Sequence, residues 1–386
     1  MKKIMLLTLL VFIITAIVAS NIYAIPAFAR KYNMTCKTCH SPFPKLKPYG
    51  DEFAGNGFVL KDQDAPRYFV ETGDPELSLI RDLPLALRLE GYVTYNQGNK
   101  EQSDFTTPIV FKLLTGGAIT KDVAYYVYYI LENGEAGKIE DAWLMFNNLF
   151  GSGLAFSIGQ FQVSDPLFKR ELRLTLADYD IYKVKVGDSH TNLTYDRGII
   201  LNYGFETGTD LTFEVVNGNG IGAIEDGNFD NDKHKNFMGR ISQDVNEHLR
   251  IGGFGYLGKE EKSDVVNDMW MIGPDATISL EHLELNVQYV ERRDKDPFFF
   301  GGSTAIEIKT RGAFAEVVYR PDGDNSNWYA VGLYNWVESN IGALDKKSAS
   351  FHLGYLLARN IRLVGEYTQN FTDKYGKFGV GFNSAF

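Results

Sequence analysis

Leu283-Glu284-Leu285-Asn286-Val287-Gln288-Tyr289 places four apolar side chains on one face of an extended chain and three polar ones on the other. A period of two is the period of a strand, because successive side chains of a pleated strand point to opposite faces. The pattern recurs outward in both directions. Leu85, Leu87, Leu89, Gly91 and Val93 alternate with Ala86, Arg88, Glu90, Tyr92 and Thr94. Near the far end, Ile361, Leu363, Gly365 and Tyr367 alternate with Arg362, Val364, Glu366 and Thr368. Apolar residues on one face and charges on the other fit a lipid-facing exterior around a wet lumen. A soluble sandwich also alternates, but its turns are short at both ends.

From Pro84 onward the chain divides into about sixteen such segments of about ten residues, an even number in the range of bacterial outer-membrane barrels. They begin near Pro84, Phe105, Asp122, Ile139, Gly153, Arg197, Asp210 and Asn236. The second half begins near His248, Asn267, Glu281, Thr304, Asn327, Lys347, Asn360 and Tyr375. The connections sort by parity. Short turns follow even segments, at 120–121, 207–209, 244–247 and 359–360, and long ones follow several odd segments, at 163–196, 217–235 and 293–303. Short periplasmic turns with longer outer loops give that asymmetry. The C-terminal Phe386 shares a face with Phe382, Val380 and Phe378, a pattern similar to barrel assembly signals. The expected fold is therefore all-β, a transmembrane antiparallel β-barrel over 84–386.

Composition agrees. The chain holds 22 Tyr, 27 Phe and 38 Gly, yet its mean hydropathy is only −0.19. Many aromatics without overall hydrophobicity suit strands with one wet face. A formal net charge of −10 argues against a nucleic-acid partner. Met1-Lys2-Lys3, the apolar run 4–19 and the small residue Ala24 read as a signal peptide over 1–24, exporting the chain to the outer membrane of a Gram-negative-type bacterium. After it, no apolar run reaches helical membrane-spanning length.

Between the signal and the barrel, 25–83 carries Cys36-Lys37-Thr38-Cys39-His40. In C-x-x-C-H the two thiols form thioethers to the haem vinyl groups and the adjacent His takes the proximal position on the iron. A zinc site would need a second cysteine pair, and the chain has 2 Cys in all. A thioredoxin-like dithiol would need a βαβ setting that these flanks lack. The expected cofactor is one covalent haem c on Cys36 and Cys39, with His40 as its metal ligand.

Around that motif the chain is short. Phe28, Phe43, Leu46, Tyr49, Phe53 and Phe58 are available to cover one porphyrin face, and no Met or His follows His40 until Met145. The segment is too small for a complete haem cage, so it is expected at or in the barrel lumen. Met34 sits awkwardly close to Cys36 for a sixth ligand. Met238 and His352 are the lumen-facing candidates.

Pro26-Ala27-Phe28-Ala29-Arg30, the C-x-x-C-H run, Ser41-Pro42-Phe43-Pro44-Lys45-Leu46, Tyr49-Gly50, Phe53 and Gly57-Phe58 together resemble the N-terminal monohaem domain of the fused outer-membrane cytochrome–porins. The resemblance implies haem attachment at Cys36 and Cys39 and ligation by His40. Well-known members of that family oxidise ferrous iron at the cell surface. The barrel is matched in architecture more than in motif, although Gly159-Gln160-Phe161 and Val215-Val216-Asn217-Gly218 are similar to strand ends of phosphate-type porins.

Other motifs read as bland. The loop with Glu225, Asp226, Asp230 and Asp232 lacks EF-hand spacing. Lys309 and Arg311 are expected to face inward with Glu307, a mixture of signs that discounts an anion-specific pore. No Ser/His/Asp or metal-hydrolase constellation stands out. The expectation is electron transfer between an extracellular donor or acceptor such as Fe(II) and periplasmic c-type cytochromes, with outer-membrane lipid around the barrel. The alternative is a diffusion porin whose haem-bearing segment acts as plug or redox sensor.

Overall fold

The computed structural model describes residues 27–32, 34–60, 69–70, 72–74, 76–81, 83–98 and 101–386. The expected signal peptide over 1–24 lies outside the described residues. A two-residue ribbon, β1 (Phe69–Val70) with β2 (Leu79–Ile80), precedes the main sheet. That sheet begins with β3 (Leu85–Gln97), β4 (Gln102–Ala118), β5 (Val123–Glu132), β6 (Lys138–Leu149), β7 (Leu154–Gln162) and β8 (Tyr195–Gly204). It continues through β9 (Thr209–Val216), β10 (Asn236–Asn246), β11 (Leu249–Lys262), β12 (Val265–Ser279) and β13 (Leu283–Asp294). It ends with β14 (Ile308–Tyr319), β15 (Trp328–Ser339), β16 (Lys346–Ala358), β17 (Ile361–Asn370) and β18 (Tyr375–Ala385).

Each strand pairs antiparallel with its neighbours in sequence, and β18 returns to pair with β3, closing a barrel of sixteen strands. Closure leaves no edge of unpaired backbone groups, which a bilayer core would not tolerate. The C-terminus completes the seam, where Phe386 exchanges backbone hydrogen bonds with Leu87 at 2.6 and 2.8 Å. Phase is readable strand by strand. In β16, Phe351, Leu353 and Tyr355 are 55%, 47% and 52% exposed on the outer face while His352 between them is fully buried within.

Every expected strand start falls within four residues of an observed one, the largest slip being Thr304 for the start of β14 at Ile308. There the expected inward direction of Lys309 and Arg311 is wrong. Thr310, Phe314 and Glu316 are the buried, lumenal residues of β14, and Lys309 and Arg311 lie outside. Phase in a strand has period two, so an error of one residue moves a side chain through the wall. On the outside these two pair with Glu291 and Glu338, at 3.1 and 2.9 Å.

The 163–194 connection between β7 and β8 folds back into the barrel. Its Lys183-containing helical turn Asp180–Lys183 and the turn Arg170–Leu172 reach walls far apart on the ring. Tyr182 donates to Gln288 of β13 at 2.9 Å, Tyr179 to Glu316 of β14 at 3.0 Å, and Tyr128 of β5 donates to Glu171 at 2.9 Å. Glu366 of β17 accepts the backbone N–H groups of Leu176 and Ala177 at 2.6 and 2.9 Å. Apolar residues of the loop, including Leu167, Tyr179, Ile181, Tyr182 and Leu193, pack on Met238, Tyr256, Met271 and Phe314 of the wall as one buried cluster. Part of the lumen is thus a dry core. The rest of the wall behind it is charged.

Candidate functional site

Ala27–Tyr32, Cys36–Cys39 and Pro48–Gly55 are short helices that fold as a unit. Pro48 opens the third, a position where its missing N–H costs nothing. That helix lies against the cysteine turn at Gly50, where a Cβ would meet the Cys39 carbonyl oxygen at 2.3 Å. No larger residue permits that approach. The Lys47 N–H reaches the same oxygen at 2.8 Å. On the other side, Phe28 stacks on Phe58 at 4.3 Å between ring centroids and meets Phe53 edge-on at 5.7 Å. These rings, expected against a porphyrin, pack on one another and continue onto Tyr126 and Trp143 of the wall.

The helical turn sets Cys36 and Cys39 three residues apart, the spacing that makes side chains neighbours on one helix face. Both thiols are free and half-buried, and burial pushes each thiol pKa up. The His40 N–H closes the turn on the Cys36 carbonyl at 2.9 Å. The ring of His40 meets Phe43 edge-on, and its Nδ1 lies 2.9 Å from the Pro44 carbonyl. A carbonyl only accepts, so Nδ1 carries the hydrogen and Nε2 keeps its lone pair. Burial also lowers the His40 pKa to about 4, which keeps the ring neutral at ordinary pH. A neutral imidazole with one nitrogen held by a backbone carbonyl is the state required of a metal ligand.

The segment crosses the lumen near the end that carries the short turns. Phe58 leans on β5 and β6, and Asn147 of β6 donates to the Asn56 carbonyl at 2.7 Å. Eight strands round the ring, Lys45 pairs with Glu284 of β13 at 2.7 Å. Lys37 bonds Asn325, Lys47 pairs with Asp324 at 2.6 Å, and Arg320 donates to both the carbonyl and the hydroxyl of Ser41 at 3.0 and 2.9 Å. From the opposite direction, Lys169 of the inward loop meets Asp51 at 3.0 Å. Segment and loop therefore touch each other and together bridge the lumen.

A narrow cleft opens where the segment meets the wall, lined by Cys36, His40, Phe43, Arg320, Tyr329 and Arg359 among others. Of the two expected sixth ligands, neither lies in it. Met238 is buried in the apolar cluster near the start of β10, the end of the barrel away from the short turns. His352 comes closer but stands behind Tyr329, with Nε2 3.4 Å from the Tyr329 hydroxyl and Nδ1 3.0 Å from Glu366. The cleft residues Arg320, Tyr329 and Arg359 escaped sequence reading. Their one signal is the turn at 320–327, which is longer than every other turn at its end of the barrel.

Among solved structures, the anion-selective porin of Comamonas acidovorans is similar at 13% identity and a TM-score of 0.58, covering 79% of this chain and 99% of that one. The fold is that of an outer-membrane porin. OmpF of Salmonella typhi, solved with daunomycin, is 10% identical at a TM-score of 0.59, covering 79% of this chain and 97% of that porin. The outer-membrane channel DcaP of Acinetobacter baumannii is 14% identical at 0.56, with the same coverages. No protein-family model and no curated protein matches the sequence. The porin-like barrel accounts for an outer-membrane location.

The cysteine turn fits a c-type haem on three counts. Two free thiols share a helix face, the His40 Nδ1 is held by a backbone carbonyl, and the Arg320 Nε is a buried donor without an acceptor. A buried donor without a partner has hydrogen-bonding capacity to offer a ligand.

Proposed function

We propose that this protein is a cytochrome–porin, an outer-membrane barrel that carries electrons through one covalent haem between an extracellular donor or acceptor and periplasmic c-type cytochromes. The observation that carries the reading is the C-x-x-C-H turn itself, lodged inside the barrel and pinned to opposite walls. Cys36 and Cys39 would hold the haem by thioethers and His40 would ligate its iron through Nε2. When bound, the haem supplies one-electron exchange, chemistry that no side chain here provides. The chain's part is placement. The ion pairs of Lys45 and Lys47 hold the segment in the lumen, the Pro44 carbonyl fixes the His40 tautomer, and the loop cluster excludes water from part of the lumen.

Crossing of the lumen by both segment and loop favours this reading over free diffusion of solutes. The barrel's likeness to solute channels and its charged wall, with Arg88, Lys112, Arg362 and Glu366 facing inward, favour the diffusion porin as second reading. Fe(II) enters the first reading as substrate through the resemblance of the N-terminal segment. The first test is purified protein from a host competent in haem attachment. One covalently bound haem per chain, lost in Cys36→Ala, is the expected result. Protein that passes through that host with both thiols free overturns the reading.

A further inference from the structure

The cleft beside His40 has a charge imbalance that the protein does not resolve. Its lining holds three cations, Lys37, Arg320 and Arg359, against one carboxylate, Asp324. Asp324 is already engaged by Lys47 at 2.6 Å and lies 3.5 Å from Arg320. Lys37 is satisfied by the neutral Asn325 at 2.8 Å. Arg320 is buried, spends Nη1 on Ser41 and leaves Nε with no acceptor. Arg359 is half-buried, lines the same cleft as Cys36, and forms no hydrogen bond or ion pair with another described residue. Positive charge removed from water without a counter-charge is unfavourable, and fixed guanidinium groups match planar carboxylates well.

We infer that Arg320 and Arg359 bind the two carboxylates of the haem carried by Cys36, Cys39 and His40, so that two turns of the barrel complete the cofactor site. The inference rests on the haem reading above and adds to it. Two positive charges in excess meet a ligand with two carboxylates. The arginines come from different connections, Arg320 from the turn after β14 and Arg359 from the turn after β16. Tyr329 also lines the cleft, its hydroxyl accepting from Arg362 at 2.5 Å. The segment alone therefore holds half of the site. The wall supplies the charge that the cofactor's acid groups require.

The test is spectroelectrochemistry of purified full-length holoprotein with small mediators, comparing wild type with Arg359→Gln and Arg359→Lys. Losing the guanidinium leaves a carboxylate uncompensated beside the iron, which favours the more positive, oxidised state. At fixed ambient potential, Arg359→Gln should lower the reduced-to-oxidised ratio about tenfold, equivalent to about 59 mV for one electron. Arg359→Lys should recover most of that change, because it restores charge. Arg320→Gln serves as the second variant, with Arg320→Lys as its charge-restoring control. Covalent haem content and heat-modifiable migration on gels report separately on attachment and on the barrel. Haem present, barrel folded and the ratio within twofold of wild type for both Arg359→Gln and Arg320→Gln would overturn the inference. The cleft would then be an anion site for something else, such as an acidic patch on a periplasmic partner. A wild type without haem would overturn the reading beneath it instead.

Discussion

The barrel wall and the segment inside it use the same residue types for opposite purposes. On the wall, Phe351, Tyr355, Phe378 and Leu257 point outward, where lipid stabilises them and sequence-local alternation decides their direction. In the segment, Phe28, Phe53 and Phe58 point inward onto one another and onto Tyr126 and Trp143, so that its small core is finished by the wall. Hydrogen bonding follows the same division. Each strand satisfies its backbone through two neighbours, whereas the segment relies on Lys45–Glu284, Lys47–Asp324 and Asn147–Asn56 to stay docked. The wall should therefore survive damage to the segment. The segment should not survive damage to the contacts that the wall offers it.

Substitutions that separate the two regions make this testable, beginning with the largest effect. Cys36→Ala should abolish covalent haem while leaving a heat-modifiable barrel, read by haem staining and gel mobility in parallel. Lys45→Glu should come next. It sets a third carboxylate against Glu284 and Glu316, and breaking a buried ion pair costs about 3–5 kcal/mol. The segment should undock, seen as protease cleavage within 34–60 and a rise in planar-bilayer conductance, with barrel melting unchanged. Phe351→Arg reverses the pattern. A cation at mid-wall on the lipid face should cost about 2–4 kcal/mol of barrel stability in denaturant folding into vesicles. Any barrel that does fold should still attach haem.

The smallest effect concerns the loop. Burial opposes ionisation of Glu171, but Lys112, Arg173 and Arg170 outweigh it and hold its carboxyl well below the usual range. A depressed carboxylate pKa contributes stability that is complete above the unfolded value of about 4.5 and is lost as pH falls toward the folded one. Conductance should stay low from neutral pH to about 4.5 and rise only below it. Glu171→Gln should remove that dependence and loosen the loop at neutral pH. Unchanged pH dependence in Glu171→Gln would assign the anchor to another group.

Legibility in the sequence followed the range of the interactions. The wall was readable because a two-residue alternation is local, and sixteen repeats of it leave little freedom of phase. Lys309 and Arg311 show the limit, since in β14 the apolar Ile308, Phe314 and Val318 face the lumen and the charged pair faces out, so local alternation does not mark the phase. The cysteine turn was readable because C-x-x-C-H is contiguous. The cleft was not. Arg320, Tyr329 and Arg359 lie some 280 to 320 residues downstream of Cys36 and meet it only through barrel closure, a geometry without local periodicity. The contacts of Phe58 with Tyr126 and Trp143 were hidden for the same reason, because those partners sit on distant strands. The inward fold of 163–194 was likewise hidden. Its length marked a loop, while its direction depends on Gln288, Glu316 and Glu366 across the lumen.

Electron flow across a sealed membrane tests the central claim most directly. Liposomes holding the full-length protein and an internal redox dye, given external Fe²⁺ or dithionite, should reduce the dye at a rate proportional to protein. Liposomes with Cys36→Ala barrels should not. Dye reduction at equal rates by both proteins, or by neither while haem is present, would contradict the account.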